Sequence, residues 1–565
     1  MRRLLPLVLS AFVGCGAPPA KTPAPPAPET EALAKRYLAL LEASSPETAT
    51  ALGHHASDHL LDDRTHAAEQ DRIDRSLSLL GDVVARATHA AGPEDRTDLA
   101  VLRAELEVDI SRTAWERPLM RRPDLYASPM NAVFLMLARD YAPARDRATS
   151  VLARMNAVPA VIAAAKQNLS PRDVPPSWVT VSIDMAKSAK TFFSAQERTL
   201  LAALPGEDAK VREAVAKATL AYDDYATFLE TKVAPQAKGD FAIGRAAFEQ
   251  LYRTSYHLDR DPDQVRAIGE RVLGETKAEM LRLAKKLDPS ATSFLPVLAA
   301  LKKKHPTEDQ LLPTYRREVA RVRKFLVDKQ AVPFPEGDDC EVIETPVFLR
   351  STLTAAYDQA PPFDPVTKGF FFVSPVDAKA TPDEREATLS EHDFGDIVDT
   401  AVHEVYPGHH LQLSFARRHP SLVRKITGPS IFAEGWALYT EELLAELGYY
   451  TDEERLMQLS WTLVRAARVV IDVDLHTRGM SIDDAVAMLK REVGLGEALA
   501  KNEVSRYVMT PTQPLSYLIG REEIMAMRAK VKAQKGSRFS LHAFHDDLLK
   551  RGTVAPSLLA REMGL

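Results

Sequence analysis

Proline at position 407 limits how this chain can fold around the eight residues His403-Glu404-Val405-Tyr406-Pro407-Gly408-His409-His410. Its ring removes an amide donor and crowds the preceding turn, and Gly408 tolerates dihedrals that other residues resist. The pair therefore breaks or bulges a helix after His403. In an uninterrupted helix His409 would sit about 120° off the face of His403, and His410 nearly back on it but about 10 Å further along the axis. Neither position lets two imidazoles meet, so a break is what swings a later histidine back.

Two histidines that meet beside a glutamate suggest a metal. Glu434 follows 24 residues beyond His410, in Phe-Ala-Glu-Gly-Trp-Ala-Leu-Tyr. Zinc takes imidazole nitrogen and carboxylate oxygen, and a catalytic site keeps a fourth position for water. The usual His-Glu-x-x-His spacing sets the histidines four apart on one helix face. Here that spacing carries an insertion. The residues predict one zinc ion held by His403, Glu434 and either His409 or His410.

His403 sits on a helix predicted to begin near Phe394, with Ile397, Val398, Ala401 and Val402 as its apolar stripe. Glu404 projects about 100° from His403, so it can face the metal's water and act as general base toward a carbonyl, returning the proton to a leaving amine. Asp399, four residues before His403, either supports that imidazole from behind or is a solvated acid. Glu434 stands among Ile431, Phe432, Ala433, Gly435, Trp436, Ala437 and Leu438, where a carboxylate needs a partner. Gly435 permits close helix packing. Glu441 and Glu442 either lie behind the ligands or are surface acids at a helix end.

Most of the chain reads as helix. Segments 31–43, 72–88, 95–107, 144–167 (with a kink at Pro159), 208–233, 263–287 and 312–328 place apolar side chains three and four apart, as do 430–447, 452–476, 481–492 and 496–507. Short β-branched or aromatic runs at 341–350 and 369–373 predict a small sheet or hairpin just before the motif, with an edge on which an extended peptide can pair. No internal Gly/Ser/Pro-rich stretch divides the chain. The expectation is one mainly α domain over 31–565 in two lobes, about 31–335 and a catalytic lobe about 336–565. A net charge of −6 leaves no electrostatic footprint for nucleic acid.

The N-terminus reads as an address. Arg2 and Arg3 precede an apolar run ending Phe12-Val13-Gly14-Cys15, which resembles a bacterial lipoprotein signal, although Phe12 stands where leucine is usual. The run is too short to span a membrane. Residues 1–14 are then a signal peptide, Cys15 the lipidated first residue, and the proline-rich 15–30 a stiff tether. This predicts an exported protein anchored in the bacterial envelope. Cys340 is the only other cysteine, so no intrachain disulfide is available, and it reads as structural.

Taken with 465–476 and Gln513-Pro514-Leu515-Ser516-Tyr517, these motifs resemble the bacterial family catalogued as domain of unknown function 885 over nearly the whole mature chain, the Pro-Gly-His-His insertion being the most specific part. More distantly the chain is similar to helical gluzincin peptidases, among them thermostable carboxypeptidases and the relatives of thimet oligopeptidase and angiotensin-converting enzyme. Those keep the four-residue histidine spacing that this chain lacks. The resemblance implies a large two-lobed helical fold around a deep cleft, a single zinc ion and short peptide substrates. If their Gly-His pair aligns with Gly408-His409, His409 is the second ligand, with His410 the alternative. Their late tyrosine, carried onto Tyr517, donates to the oxyanion, worth about 3 kcal/mol for one such donor; a core tyrosine is the competing reading.

Arg465, Arg468, Asp472 and His476 fall on related helix faces, and either hold a substrate carboxylate or form a buried polar network. Arg521 has the same two readings. The functional expectation is a lipid-anchored zinc metallopeptidase, a carboxypeptidase or oligopeptidase. The alternatives are a nonenzymatic envelope scaffold that retains a structural metal, and a hydrolase of nonpeptide amides.

Overall fold

Apolar side chains three and four apart do what their period requires: in the computed structural model, which describes residue 23 and residues 25–345, 350, 354–377 and 379–565, helices make up 72%. The expected signal peptide 1–14, Cys15 and part of the expected tether lie outside the described residues, as do 346–349 of the expected first strand. The segment 144–167 forms the helix Ala144–Asn168 with Pro159 inside it. The segment 263–287 forms Pro262–Leu287, started by a capping box in which the Asp261 carboxylate accepts from the Gln264 amide. Besides Gln513–Lys535, a long helix without a counterpart among the segments read from the sequence is Pro176–Ala203. Its buried stripe passes through Ser182, Ala186 and Ala189, small residues that fill a helix interface without raising the local hydrophobicity.

The expected small sheet has three strands among the described residues: β1 (Cys340–Glu344), β2 (Ala355–Asp358) and β3 (Gly369–Val373). They lie in the order β1-β3-β2. β1 runs parallel to β3, with Cys340 opposite Gly369, and β2 runs antiparallel to it, with Tyr357 opposite Phe371. A hairpin is thereby excluded for the two runs read from the sequence, since parallel strands need a crossover; the crossover carries β2. Among the described residues β2 has a sheet neighbour on one side only.

Five helices build the site: α1 (Phe394–Glu404), α2 (His409–Arg417), α3 (Ser430–Glu446), α4 (Asp452–Thr477) and α5 (Gln513–Lys535). α4 is buried on every side from Leu456 to His476 except at Ser460 and Trp461, because two cores meet on it. Ala466, Val469 and Val473 belong to one core and Leu463, Ala467, Ile471 and Leu475 to the other. Each core takes residues from both sides of position 335.

Candidate metal centre

The helix carrying His403 starts where Asp393 caps it, its carboxylate accepting from the Gly395 and Asp396 amides at 2.9 and 3.0 Å. It ends at Glu404. Past Pro407 the chain turns back on this helix end, and the Gly408 amide donates to Val402 O at 3.0 Å. The glycine is required by space rather than by its dihedrals: φ is −70°, but a Cβ there would lie 1.8 Å from His403 O. Trp436 on α3 fixes the turn from the other side, its indole N–H donating to Pro407 O at 2.8 Å. The new helix, α2, then starts with His409.

This turn separates the two adjacent histidines. His409 Nε2 lies 3.3 Å from Glu434 Oε2, and His403 Nε2 lies 3.8 Å from the same oxygen. The two imidazoles meet edge to face with centroids 4.9 Å apart. His403, His409 and Glu434 offer donor atoms that all lie within 4.8 Å of one another, and they are the only such group of three among the described residues. Two imidazole nitrogens and one carboxylate oxygen suit zinc. His410 points elsewhere: its Nε2 lies 2.7 Å from Asp338 Oδ1 and its Nδ1 3.0 Å from the Tyr357 hydroxyl, deep in the core.

Behind the donors, Glu441 on α3, two turns from Glu434, places Oε1 2.7 Å from His403 Nδ1. Its other oxygen accepts from Gln458 Nε2 at 3.0 Å. Burial raises the Glu441 carboxyl, but the hydrogen bond from His403 and the charge of Arg465 outweigh this and hold it below the usual range. A carboxylate can only accept, so Nδ1 carries a proton, and Nε2 is the nitrogen that faces His409 and Glu434. Glu434 is likewise held well below its usual range, burial being outweighed by hydrogen bonds from His403 and His409. Burial lowers His403, yet hydrogen bonds to Glu434 and Glu441 push it up to about 10.

Asp399 is buried near the same imidazole, and burial followed by the Glu441 charge pushes its carboxyl up. The orienting bond to Nδ1 comes from Glu441. Replacing Glu441 with Gln is expected to lower zinc affinity about 10–100-fold, the usual cost of losing such a support. Competition against a chelator of known affinity measures it, and unchanged affinity would remove Glu441 from this role.

Glu404 stays outside the donor triad. Its Oε2 accepts from the Tyr357 amide of β2 at 3.0 Å, which ties the carboxylate to the edge strand. Tyr517 comes from the far side. Gly435 of α3 and Gly520 of α5 cross so closely that a Cβ on either would lie within 2.5 Å of the other helix's backbone. One turn before that crossing the Tyr517 ring stacks 6.5 Å from His403, at 18° between planes.

The remaining polar residues of α4 and α5 divide. Arg468 is committed to Glu503 at 2.7 Å and to the Tyr507 hydroxyl at 3.0 Å. Asp472 accepts from the Thr512 and Leu515 amides, both at 3.3 Å, and His476 Nε2 lies 3.1 Å from Tyr507 O. These three hold the start of α5 and thus the position of Tyr517. Arg521 pairs with Glu522 at 2.9 Å. Arg465 alone of this set has neither an ion pair nor a hydrogen bond among the described residues; its Nε and Nη1 are buried without partners.

Two cavities flank the centre. One of about 220 Å³ is lined by His403, Glu404, Asp399, Arg465 and Trp461, the other of about 410 Å³ by His409, Leu413, Arg417 and Ala433. β2 passes along both, Ala355 facing the first and Tyr357 the second.

Sequence reasoning left Asp338 and Tyr357 unmarked. They meet His410 from 72 and 53 residues away, and nothing local signals such contacts. Glu441 did carry a signal, the seven-residue spacing that places it on the face of Glu434.

The sequence matches, over residues 46–563, the family described as bacterial protein of unknown function (DUF885). Two solved structures share the fold. A candidate lipoprotein of unknown function from Shewanella oneidensis is 23% identical with a TM-score of 0.79, covering 95% of this chain and 99% of its own. A candidate lipoprotein from Colwellia psychrerythraea is 18% identical with a TM-score of 0.79, covering 95% and 98%. Comparison with curated proteins gives no match.

Proposed function

The chain belongs to the DUF885 family of bacterial proteins, and for this member we propose a zinc-dependent metallopeptidase that hydrolyses short peptides in the cell envelope, anchored through a lipid on Cys15. The observation that carries the reading is the donor triad His403, His409 and Glu434, with all donor atoms within 4.8 Å, beside a glutamate that the triad does not use. Zinc in that position supplies Lewis acidity that activates water near neutral pH. Glu404 takes the proton from the attacking water and delivers it to the departing amine. The Tyr517 hydroxyl donates to the oxygen on which negative charge develops. Because the Tyr357 amide points away from β3 toward Glu404, Ala355 two residues earlier presents its backbone groups to the same side. An extended peptide pairs there, and β2 carries it from one cavity to the other past the triad.

Both solved relatives are described as candidate lipoproteins, which supports the reading of Cys15. Incubation of the zinc-loaded protein with a mixed peptide library, followed by mass spectrometry, should show cleavage that stops on chelation and returns with zinc. A library left intact while a nonpeptide amide is cut would favour the other hydrolase. No turnover of either, with a retained metal and a bound protein partner, would favour the scaffold.

A further inference from the structure

Among the described residues, Arg465 beside the triad makes neither an ion pair nor a hydrogen bond, and its Nε and Nη1 are buried. It projects from α4 into the 220 Å³ cavity that also exposes His403 and Glu404. The residue is only 9% exposed. Its guanidinium lies 4.8 Å from the Trp461 ring centroid and 6.0 Å from that of Tyr517, so aromatic faces frame it. The Glu441 charge lies near enough to be felt, but buried guanidinium N–H groups with no acceptor are costly, and their retention calls for an acceptor that arrives with a ligand. The two acids nearest in charge do not serve. Asp399 makes no ion pair with it, and burial drives that carboxyl toward its neutral form. Glu441 is engaged by His403 and Gln458. Lys302 lines the same cavity, as do the acids Glu391, Asp396, Asp399 and Glu404.

We propose that Arg465 binds the free α-carboxylate of a peptide's C-terminus, which makes the protein a carboxypeptidase. The inference rests on the peptidase reading above. A planar guanidinium offers paired donors matched to a carboxylate, a match that lysine cannot reproduce. At about 220 Å³ the cavity is smaller than the roughly 300–1,000 Å³ of sites that enclose drug-sized ligands. That is room for the last residue of a chain and its carboxylate. The scissile bond is then close to the C-terminus: water adds its hydroxyl to the carbonyl carbon, the C–N bond breaks, and the proton passes to the released amine.

The test compares N-acetyl tetra-alanine as the free acid and as its C-terminal carboxamide. The zinc-loaded protein should prefer the acid in kcat/KM by on the order of 10–10²-fold, the worth of a charge-assisted hydrogen bond. Arg465→Gln should bring that ratio to about one, and Arg465→Lys should restore part of it. A purely structural arginine would lower both rates together and leave the ratio standing, and that result would overturn the proposal. So would a wild-type protein that cuts acid and carboxamide alike, in which case the peptidase reading survives. Calorimetric binding of the same two peptides to Glu404→Gln protein, with and without Arg465→Gln, reads the site independently of turnover. Preference for the acid in that assay, with neither peptide ever cleaved, would keep the carboxylate site and discard the peptidase. Equal binding discards the site.

Discussion

Replacing Glu404 with Gln is expected to lower peptide turnover by about 10²–10⁴-fold, the range for loss of a general base, with zinc content unchanged. The amide keeps the volume and an oxygen able to accept from the Tyr357 amide, so the tie to β2 persists. It cannot take a proton from water. Glu404 is not among the three clustered donors, so metal content should hold. The two readouts together are the check: kcat/KM on a peptide found in the library, and zinc per chain by elemental analysis. Unchanged activity would remove the proposed mechanism, and loss of zinc would make Glu404 a ligand instead.

The second large contrast separates neighbours. His409→Ala should abolish stoichiometric zinc, with a loss beyond the about 10–100-fold that removing a supporting residue costs. His410→Ala should keep one zinc per chain and destabilise the fold by about 1–3 kcal/mol, because the buried Asp338 loses the imidazole and keeps only the Tyr406 hydroxyl at 2.6 Å and Arg323 at 4.0 Å. Metal titration and thermal unfolding of the two variants give opposite patterns. A reversal, with zinc lost only in His410→Ala, would move the second ligand one residue along.

That contrast marks how far the sequence could be read. The broken helix after His403 was legible because proline has a fixed backbone cost. Which histidine returns was open, because the answer depends on tertiary contacts: the Trp436 indole on Pro407 O and the packing of Gly408 against His403 O. Most helices were legible from large apolar side chains that keep the 3.6-residue period, although Gln513–Lys535, which keeps it too, was not read as one. Pro176–Ala203 was hidden by its small residues. Gly435 suggested a close helix crossing, but its counterpart Gly520, 85 residues on, carries no local mark. The arginines could be named as a set and not sorted, since commitment to Glu503 or to Glu522, or to no residue, is a matter of what the fold brings near.

The burial of α4 in two cores at once has a mechanical meaning. This helix is the keel of the molecule, and Arg465, Arg468, Asp472 and His476 are all mounted on it. A hinge that widened the site by parting the cores would strip both faces of the same helix into water, a cost close to that of unfolding. The aperture is therefore set by the loops and the edge strand that rim it, a fixed gauge that, under the proposed peptidase reading, favours a thin, extended chain over a folded protein.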